Sequence, residues 1–162
     1  MKNVGPERAF LSGLRSLEAG KGLEALAYFE ASLKLEEKAP NPARRSRYAS
    51  YYGYCLATVL GKTRQGLCLC RKAAESEFFT PDILLNLARV HLLAGDRKEA
   101  WEALMKALKL DPDHPEIQTL ICGMGLRRRP VFPFLDRSHP LNKLAGIVAR
   151  GEKAASRGRR DK

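Results

Sequence analysis

The sequence predicts an all-α protein made of three helix-turn-helix repeats, because one unit recurs along it and each copy joins two apolar helical stripes through a glycine. In the third copy the small or apolar repeat positions are Ala88, Gly95, Ala100, Leu104 and Ala107. The positions 34 residues earlier hold Tyr54, Gly61, Gly66, Cys70 and Ala73, and those a further 41 residues earlier hold Gly13, Gly20, Ala25, Phe29 and Ser32. Units of this length bury their apolar faces only by stacking, so the sequence predicts a short solenoid.

The three repeats are expected at about residues 6–39, 47–80 and 81–114. A glycine marks the turn inside each repeat, since glycine tolerates the left-handed backbone that ends many helices. In the third repeat, Thr80 and Asp96 are expected to cap the two helices. The seven residues inserted after the first repeat are assigned mostly to a proline-containing loop at residues 38–42.

Beyond the repeats, residues 115–124 are expected to form a capping helix that closes the exposed end of the solenoid. Residues 125–150 are expected to form a C-terminal capping segment, extended at first and ending in a short helix from about residue 140. Pro130 and Pro133 favour the extended backbone, and the apolar residues around them favour burial. This segment either caps the last helices or lies in the groove of its own repeats. Residues 151–162 are expected to be a basic, disordered tail.

The positive charge is concentrated near the C-terminus. The chain has a formal net charge of +11. Residues 1–125 hold 18 Lys and Arg against 15 Asp and Glu, whereas residues 126–162 hold 11 against 3. A basic tail of this kind is often only solvated, but it can also bind anions. Arg127, Arg128 and Arg129 are therefore candidates for an anion-binding site, and a nucleic-acid or anionic-surface binder is the alternative functional hypothesis.

The repeats resemble the tetratricopeptide repeat over roughly residues 6–124. The resemblance is most specific between residues 84 and 112, where the matching residues are Ala88, Gly95, Ala100, Ala107 and Pro112. It implies antiparallel helix pairs stacked into a right-handed superhelix. The middle copy departs from the pattern, because bulky Tyr54 stands where a small residue is expected and Gly53 lies one place earlier. The register of that helix is therefore open by one residue. The C-terminal segment resembles the ends of some bacterial repeat proteins, which implies no activity.

By this resemblance, the first helix of each repeat lines a concave groove. The candidate groove residues are Phe10, Leu14 and Leu17 of the first repeat, Tyr48, Tyr51 and Cys55 of the second, and Leu85, Asn86 and Arg89 of the third. Tyr52 replaces Tyr51 if the register slips. Aromatic and apolar side chains with a few polar groups suit a peptide or a partner helix. The expected function is a non-enzymatic interaction module, an adaptor or scaffold, that binds a protein or peptide segment. Self-association stays open.

Other classes of function find little support in the sequence. Gly20-Lys21-Gly22 lacks the spacing of a phosphate-binding loop, and the three histidines stand far apart. No cofactor or metal site is expected, since Cys68 and Cys70 have no second pair to complete a zinc site. The four cysteines are expected to pack in the core. The sequence contains no run of about 18 apolar residues of the kind that spans a membrane, and its N-terminus lacks a signal-peptide pattern. A cytoplasmic protein is therefore expected.

Overall fold

The computed structural model describes residues 5–37 and 41–124, and the part of the chain that it describes is entirely helical, as predicted. Three helical hairpins follow one another and a single helix ends the series. In chain order the helices are α1 (Pro6–Glu18), α2 (Gly22–Glu36), α3 (Pro42–Val59), α4 (Thr63–Ser76), α5 (Pro81–Ala94), α6 (Arg97–Leu110) and α7 (Pro115–Met124). The capping segment expected at residues 125–150 and the tail expected at 151–162 lie outside the described residues.

The turn inside each hairpin is made by a glycine with positive φ. Gly20, Gly61 and Gly95 have φ values of 73°, 65° and 86°, the left-handed region that side chains with a Cβ disfavour. At the third turn, the Gly95 N–H donates to the carbonyl of Leu92 and thereby satisfies one group at the end of α5. The three turns therefore lie where the 34-residue period places them.

The start of α3 differs from the prediction. The helix begins at Pro42, whereas the second repeat was expected from about Arg47. Proline fits the first helical position because its missing N–H needs no partner there, and the Asn41 side chain caps the helix by accepting from the Arg44 N–H at 3.2 Å. The Asn41 N–H in turn donates to the buried Glu36 carboxylate at 2.8 Å. Much of the inserted sequence therefore lengthens α3 instead of forming a loop.

The two caps expected in the third repeat are not formed by side chains. Thr80 and Asp96 do occupy the N-cap positions of α5 and α6, but neither side chain bonds the backbone of the helix that follows. The Asp96 carboxylate lies 3.4 Å from Nδ1 of His91 instead, across the tight turn. The glycine turn brings these two side chains together, and this contact takes the place of the expected cap.

Two facing glycines fix the register of α3 against α4. A Cβ built on Gly66 would lie 2.4 Å from the carbonyl oxygen of Gly53, and one built on Gly53 would lie 2.8 Å from that of Gly66. Backbone therefore meets backbone at this point, and only glycine fits on either side. Gly53 is thus the small residue of the middle repeat, one place before Tyr54. Counted from Gly53, the position equivalent to Glu7 of α1 is Arg47, and that equivalent to Leu14 is Tyr54.

Stacking of the hairpins produces three adjoining apolar clusters. The first joins α1, α2 and α3 around Phe10 and Phe29, both fully buried. A small cluster around Val90 links the second and third hairpins. The last joins α5, α6 and α7, where Leu104 and Ile117 are 0% exposed. Because Ile117 of α7 packs into this last cluster, α7 covers the apolar end of the third repeat. Burying a side chain of this size contributes about 1.5–3 kcal/mol to stability. No helix in the described ranges is both long and apolar enough to cross a membrane.

Candidate functional site

The first helices of the hairpins, together with α7, carry a row of partly exposed polar side chains. We call this set the inner row, and it consists of Glu7 on α1, Arg47 and Tyr51 on α3, Asp82 and Arg89 on α5, and Glu116 on α7. Side-chain contacts join these helices directly. Two ion pairs do so: Nη1 of Arg47 lies 3.7 Å from Oε1 of Glu7, and Nη2 of Arg89 lies 2.5 Å from Oε2 of Glu116. The Arg89 guanidinium also lies over the ring of Tyr54, which links α5 to α3, so the inner row runs from α1 through α3 and α5 to α7.

At the α1 end of the inner row, a buried aromatic cluster supports the two charged groups. The Tyr48 hydroxyl donates to Oε2 of Glu7 at 2.5 Å. The pKa of Tyr48 is raised, mainly because the hydroxyl is buried and also because it is bonded to the Glu7 carboxylate. The Arg47 guanidinium lies 4.4 Å from the centroid of the Phe10 ring, in cation–π geometry. Tyr48 and Phe10 therefore hold Glu7 and Arg47 in place from beneath.

At the α7 end, Arg89 is held by three partners. Besides its ion pair with Glu116, it donates to Oδ1 of Asn86 at 3.4 Å and lies 5.2 Å from the centroid of the Tyr54 ring. Asn86 is itself oriented by donating to the Ser50 hydroxyl at 3.3 Å. The Arg89 side chain is nevertheless 25% exposed. It is a fixed guanidinium group with one side open to solvent.

Tyr51 lies between these two ends. Its ring makes an edge contact with Phe10, with centroids 5.2 Å apart. Burial raises the pKa of the Tyr51 hydroxyl, nearby Asp82 raises it further, and the charges of Arg47 and Arg89 act in the opposite direction. The hydroxyl is therefore protonated at neutral pH and surrounded by charges of both signs. It can donate to a carbonyl or carboxylate oxygen of a bound segment.

The structure divides the predicted groove residues into two groups. Five of them are 0–2% exposed and pack between the helices, so their expected contact with a ligand is wrong: Phe10, Tyr48, Cys55, Leu85 and Asn86. The remaining four stay partly exposed on the first helices: Leu14, Leu17, Tyr51 and Arg89. For Tyr48 and Cys55 the reason is register, because the shift to Gly53 turns both side chains inward. Phe10 and Leu85 are buried in the apolar clusters between helices, and Asn86 is bonded to Ser50 and Arg89.

Five side chains at this surface were not among the predicted groove residues. They are Glu7, Arg47, Asp82 and Glu116 of the inner row, and Tyr54, whose ring packs against Arg89. A signal for two of them was present, since an alignment on Gly53 places Arg47 and Tyr54 at the positions that Asp82 and Arg89 occupy in the third repeat. The two glutamates gave none, because isolated charges on a helix are usually only solvated. The anion-binding candidates Arg127, Arg128 and Arg129 lie outside the described residues.

The four cysteines do not share one environment. Cys55 and Cys70 are fully buried, and burial raises the pKa of each thiol to about 12. Cys68 and Cys122 are exposed, so the expectation that all four pack in the core is wrong. Cys68 points away from the core because residues two apart on a helix lie on different sides. Within residues 5–37 and 41–124, no three His, Cys, Asp or Glu side chains are grouped so as to hold a metal ion.

A second concave surface lies between the second helices of two neighbouring hairpins. This α4–α6 groove has a volume of about 600 Å³. The side chains that line it come from three helices and one short connection. They are Arg71, Ala74 and Glu75 of α4, Phe78 and Phe79 just after α4, Leu84, Leu87 and His91 of α5, and Glu99, Glu102, Ala103, Lys106, Lys109 and Leu110 of α6. Its walls come from separate repeats, so no local pattern in the sequence indicates it.

The hairpin order and the inner row define a helical-hairpin solenoid, a class of repeat protein in which stacked units share one continuous surface. Residues 81–122 match the family model of the tetratricopeptide repeat. Residues 81–122 therefore contain a tetratricopeptide repeat, as the spacing of their residues predicted, and the structural likenesses that follow extend the same fold to the other hairpins. No protein of curated function matches the sequence.

Three solved structures share the fold. YrrB, a TPR protein with an unusual peptide-binding site, is 20% identical with a TM-score of 0.55, over 73% of this chain and 57% of its own. PcrH of Pseudomonas aeruginosa, in complex with the chaperone binding region of PopB, is 25% identical with a TM-score of 0.54, over 74% and 91%. The Yersinia enterocolitica type III secretion chaperone SycD, in complex with a peptide of the translocator YopD, is 21% identical with a TM-score of 0.52, over 73% and 85%. The match therefore spans little more than half of YrrB but most of PcrH and SycD.

Proposed function

We propose that the protein is a non-enzymatic interaction module that binds a segment of another protein on the inner row. The observation that carries this proposal is the arrangement of Arg47, Tyr51 and Arg89. Each is partly exposed, and each is held by contacts within the protein before any ligand arrives. A surface with fixed side chains loses little conformational entropy on binding, which favours affinity.

The chemistry of these side chains suits a polypeptide ligand. Tyr and Arg are the residue types that most often dominate binding energy at protein interfaces. The Tyr51 hydroxyl and the two guanidinium groups can donate to backbone carbonyls or to carboxylates of the ligand, while Glu7 and Glu116 accept from its amides or basic groups. Leu14 and Leu17, which are partly exposed on α1, add apolar contact area.

The comparisons support the same class of function. PcrH and SycD were each solved with a segment of a second protein, and YrrB has a peptide-binding site. For this chain we infer the class of ligand only, a protein or peptide segment. We place the protein in the cytoplasm, where the free thiols stay reduced.

The non-enzymatic part of the proposal has its own support. The thiols of Cys55 and Cys70 are buried and protonated at neutral pH, so neither is poised as a nucleophile. Each histidine ring in the described repeats faces a carboxylate at the end of a helix: His91 faces Asp96, and His114 faces Asp82 at 3.3 Å. Such pairs join neighbouring elements of the fold.

The test is co-purification of partners from nuclease-treated native lysate, measured by quantitative mass spectrometry. The variant Arg47→Glu/Arg89→Glu reverses both guanidinium charges of the inner row. A matched control, Arg15→Glu/Arg64→Glu, makes the same change in net charge at two exposed positions of α1 and α4. Circular dichroism checks that both variants keep their helical content, so that a lost partner reports the site and not unfolding.

A partner recovered with the wild type and the control but lost with the inner-row variant supports the proposal. Tyr51→Phe then refines it, with several-fold weaker binding expected, because a neutral hydrogen bond contributes about 0.5–1.5 kcal/mol. If both double variants retain the same partners, the inner row is not the binding site. The alternative is that Arg127, Arg128 and Arg129 bind nucleic acid or an anionic surface. In that case the measured affinity should fall steeply as the salt concentration rises.

A further inference from the structure

The α4–α6 groove lies on the second helices, apart from the inner row, and carries an exposed aromatic patch at one end. Phe78 and Phe79 follow α4 with ring centroids 3.9 Å apart, and they are 57% and 66% exposed. Leu110, at the end of α6, is 40% exposed beside them in the lining of the groove. Large apolar side chains grouped on a surface in this way indicate a binding site more often than isolated ones do.

The other end of the groove is acidic. Glu99 and Glu102 lie in the first half of α6, and both are exposed. In the described part of the chain, Glu102 has one ion-pair partner, Lys98 at 4.0 Å, which is itself 83% exposed. Exposed pairs of this length contribute little, so both carboxylates are available to a basic side chain of a ligand.

Between the two ends, the groove has an apolar floor and walls of mixed charge. The floor comes from Leu84 and Leu87 of α5, while the sides carry Arg71 and Glu75 of α4 and Lys106 and Lys109 of α6. The cations can donate to backbone carbonyls that a ligand in an extended conformation leaves without internal partners, and Glu75 can accept from its amides. The groove is therefore acidic at one end, of mixed charge along its walls, and aromatic at the other end.

The dimensions favour an extended peptide over a helix. Glu102 and Leu110 are eight residues apart on α6, which corresponds to about 12 Å. A polyproline II segment rises about 3.1 Å per residue, so about four residues cover that span. A volume of about 600 Å³ accommodates several side chains, whereas an α-helix with its side chains is about 10–12 Å across.

We propose that the α4–α6 groove binds an extended, proline-containing segment that has arginine at one end and an aromatic residue about four positions later. Glu99 and Glu102 bind the arginine, and Phe78 and Phe79 pack against the proline and aromatic rings. Aromatic-lined grooves select such segments because the polyproline II conformation is already formed before binding. This site is independent of the inner row and stands whether or not the inner row binds a partner.

A sequence of this chemistry occurs in the chain itself and supplies a probe. Residues 127–135 read RRRPVFPFL, with Arg128 and Phe132 four positions apart and prolines at 130 and 133. A fluorescent synthetic peptide of this sequence is titrated with the full-length protein. The protein used carries Phe132→Ala and Phe134→Ala, so that its own copy of the sequence does not compete with the peptide.

Four further changes test the site by fluorescence anisotropy. Phe78→Ala/Phe79→Ala should weaken peptide binding at least tenfold, and Glu99→Lys/Glu102→Lys at least fivefold. A peptide with glycine in place of both prolines should bind several-fold more weakly, since it loses the preformed conformation. The matched control is Leu23→Ala, which removes a side chain that is 68% exposed on α2, outside the groove. It should leave the affinity unchanged.

Two results overturn the proposal. One is the absence of saturable binding at peptide concentrations up to the order of 1 mM, a very weak affinity for any specific site. The other is equal affinity for the parent protein and the Phe78/Phe79 variant, when circular dichroism shows that both keep their helices. The inner-row variant Arg47→Glu/Arg89→Glu should bind this peptide normally, which separates the result from that of the proposed function.

Discussion

The contact between Gly53 and Gly66 leads to a prediction that opposes helix propensity. Gly66 lies inside α4, and replacing a helical glycine with alanine normally stabilises a protein by about 0.8–1 kcal/mol. Here the new methyl group would lie 2.4 Å from the Gly53 carbonyl oxygen and 3.0 Å from Cβ of Ala57. Ordinary contacts begin at 3.4 Å. The two helix backbones must therefore separate by about 1 Å, since a carbonyl oxygen has no rotamer that moves it aside.

The expected result for Gly66→Ala is a net loss of stability. Overpacking in a well-packed contact costs about 1–3 kcal/mol, and here backbone rather than side chain must move, so we place the cost at the upper end. After the gain in helix propensity, the net loss is about 1–2 kcal/mol. For a chain of this size, that lowers the midpoint of thermal unfolding by about 2–8 °C. Circular dichroism at 222 nm, the helix signal, measures it.

Gly123→Ala provides the matched control. This glycine lies in α7, and a Cβ built on it meets nothing within 4 Å. The substitution should leave the midpoint unchanged or raise it slightly. If Gly66→Ala unfolds at the same temperature as the wild type or above it, α3 and α4 do not meet at these glycines. The register assigned to α3, and with it the place of Arg47 in the inner row, would then be wrong.

Three further predictions concern the thiols and one cap. In the folded protein, a thiol reagent should modify Cys68 and Cys122 rapidly, and Cys55 and Cys70 only after denaturation; rapid modification of all four contradicts the burial. Because burial raises the pKa of both buried thiols from 9.0 to about 12, the unfolded chain loses these protons first as pH rises. Stability should therefore be complete below about pH 9 and fall between about pH 9 and 12, by about 1.4 kcal/mol per pH unit for each thiol; urea unfolding at about pH 8 and about pH 10 checks this. Asn41→Ala should cost about 1 kcal/mol by removing the α3 cap, whereas Asn41→Ser should cost less; equal losses would assign the effect to something other than the cap.

The inner row and the α4–α6 groove offer different chemistry. On the inner row, Arg47 and Arg89 are already paired with carboxylates and packed on aromatic rings, so a ligand meets a fixed pattern of donors and acceptors. In the groove, Phe78 and Phe79 are largely exposed, so binding there gains mostly from removing apolar surface from water. Inner-row binding should therefore depend mainly on fixed polar contacts, and groove binding on apolar contact at the aromatic end together with the carboxylates of Glu99 and Glu102.

The elements of the fold followed from the sequence, since they depend on local signals. Glycine is required where φ is positive, and Gly20, Gly61 and Gly95 occur at all three turns. Apolar residues at helical spacing indicated each hairpin and the capping helix. Here the signal lies in residues close together in the chain, and the 34-residue period repeats it.

The site needed the tertiary structure, because it depends on which side chains face each other across different helices. Gly53 and Tyr54 were both possible at the small position of the middle repeat, and the distinction lies in the contact with Gly66, thirteen residues later on another helix. A shift of one residue rotates a helix by about 100° and changes which side chains it buries. Tyr48 thus became a support for Glu7, and Arg47 became part of the surface. Helix formation depends on near neighbours in sequence, whereas the exposure of a side chain depends on the packing of the helices around it.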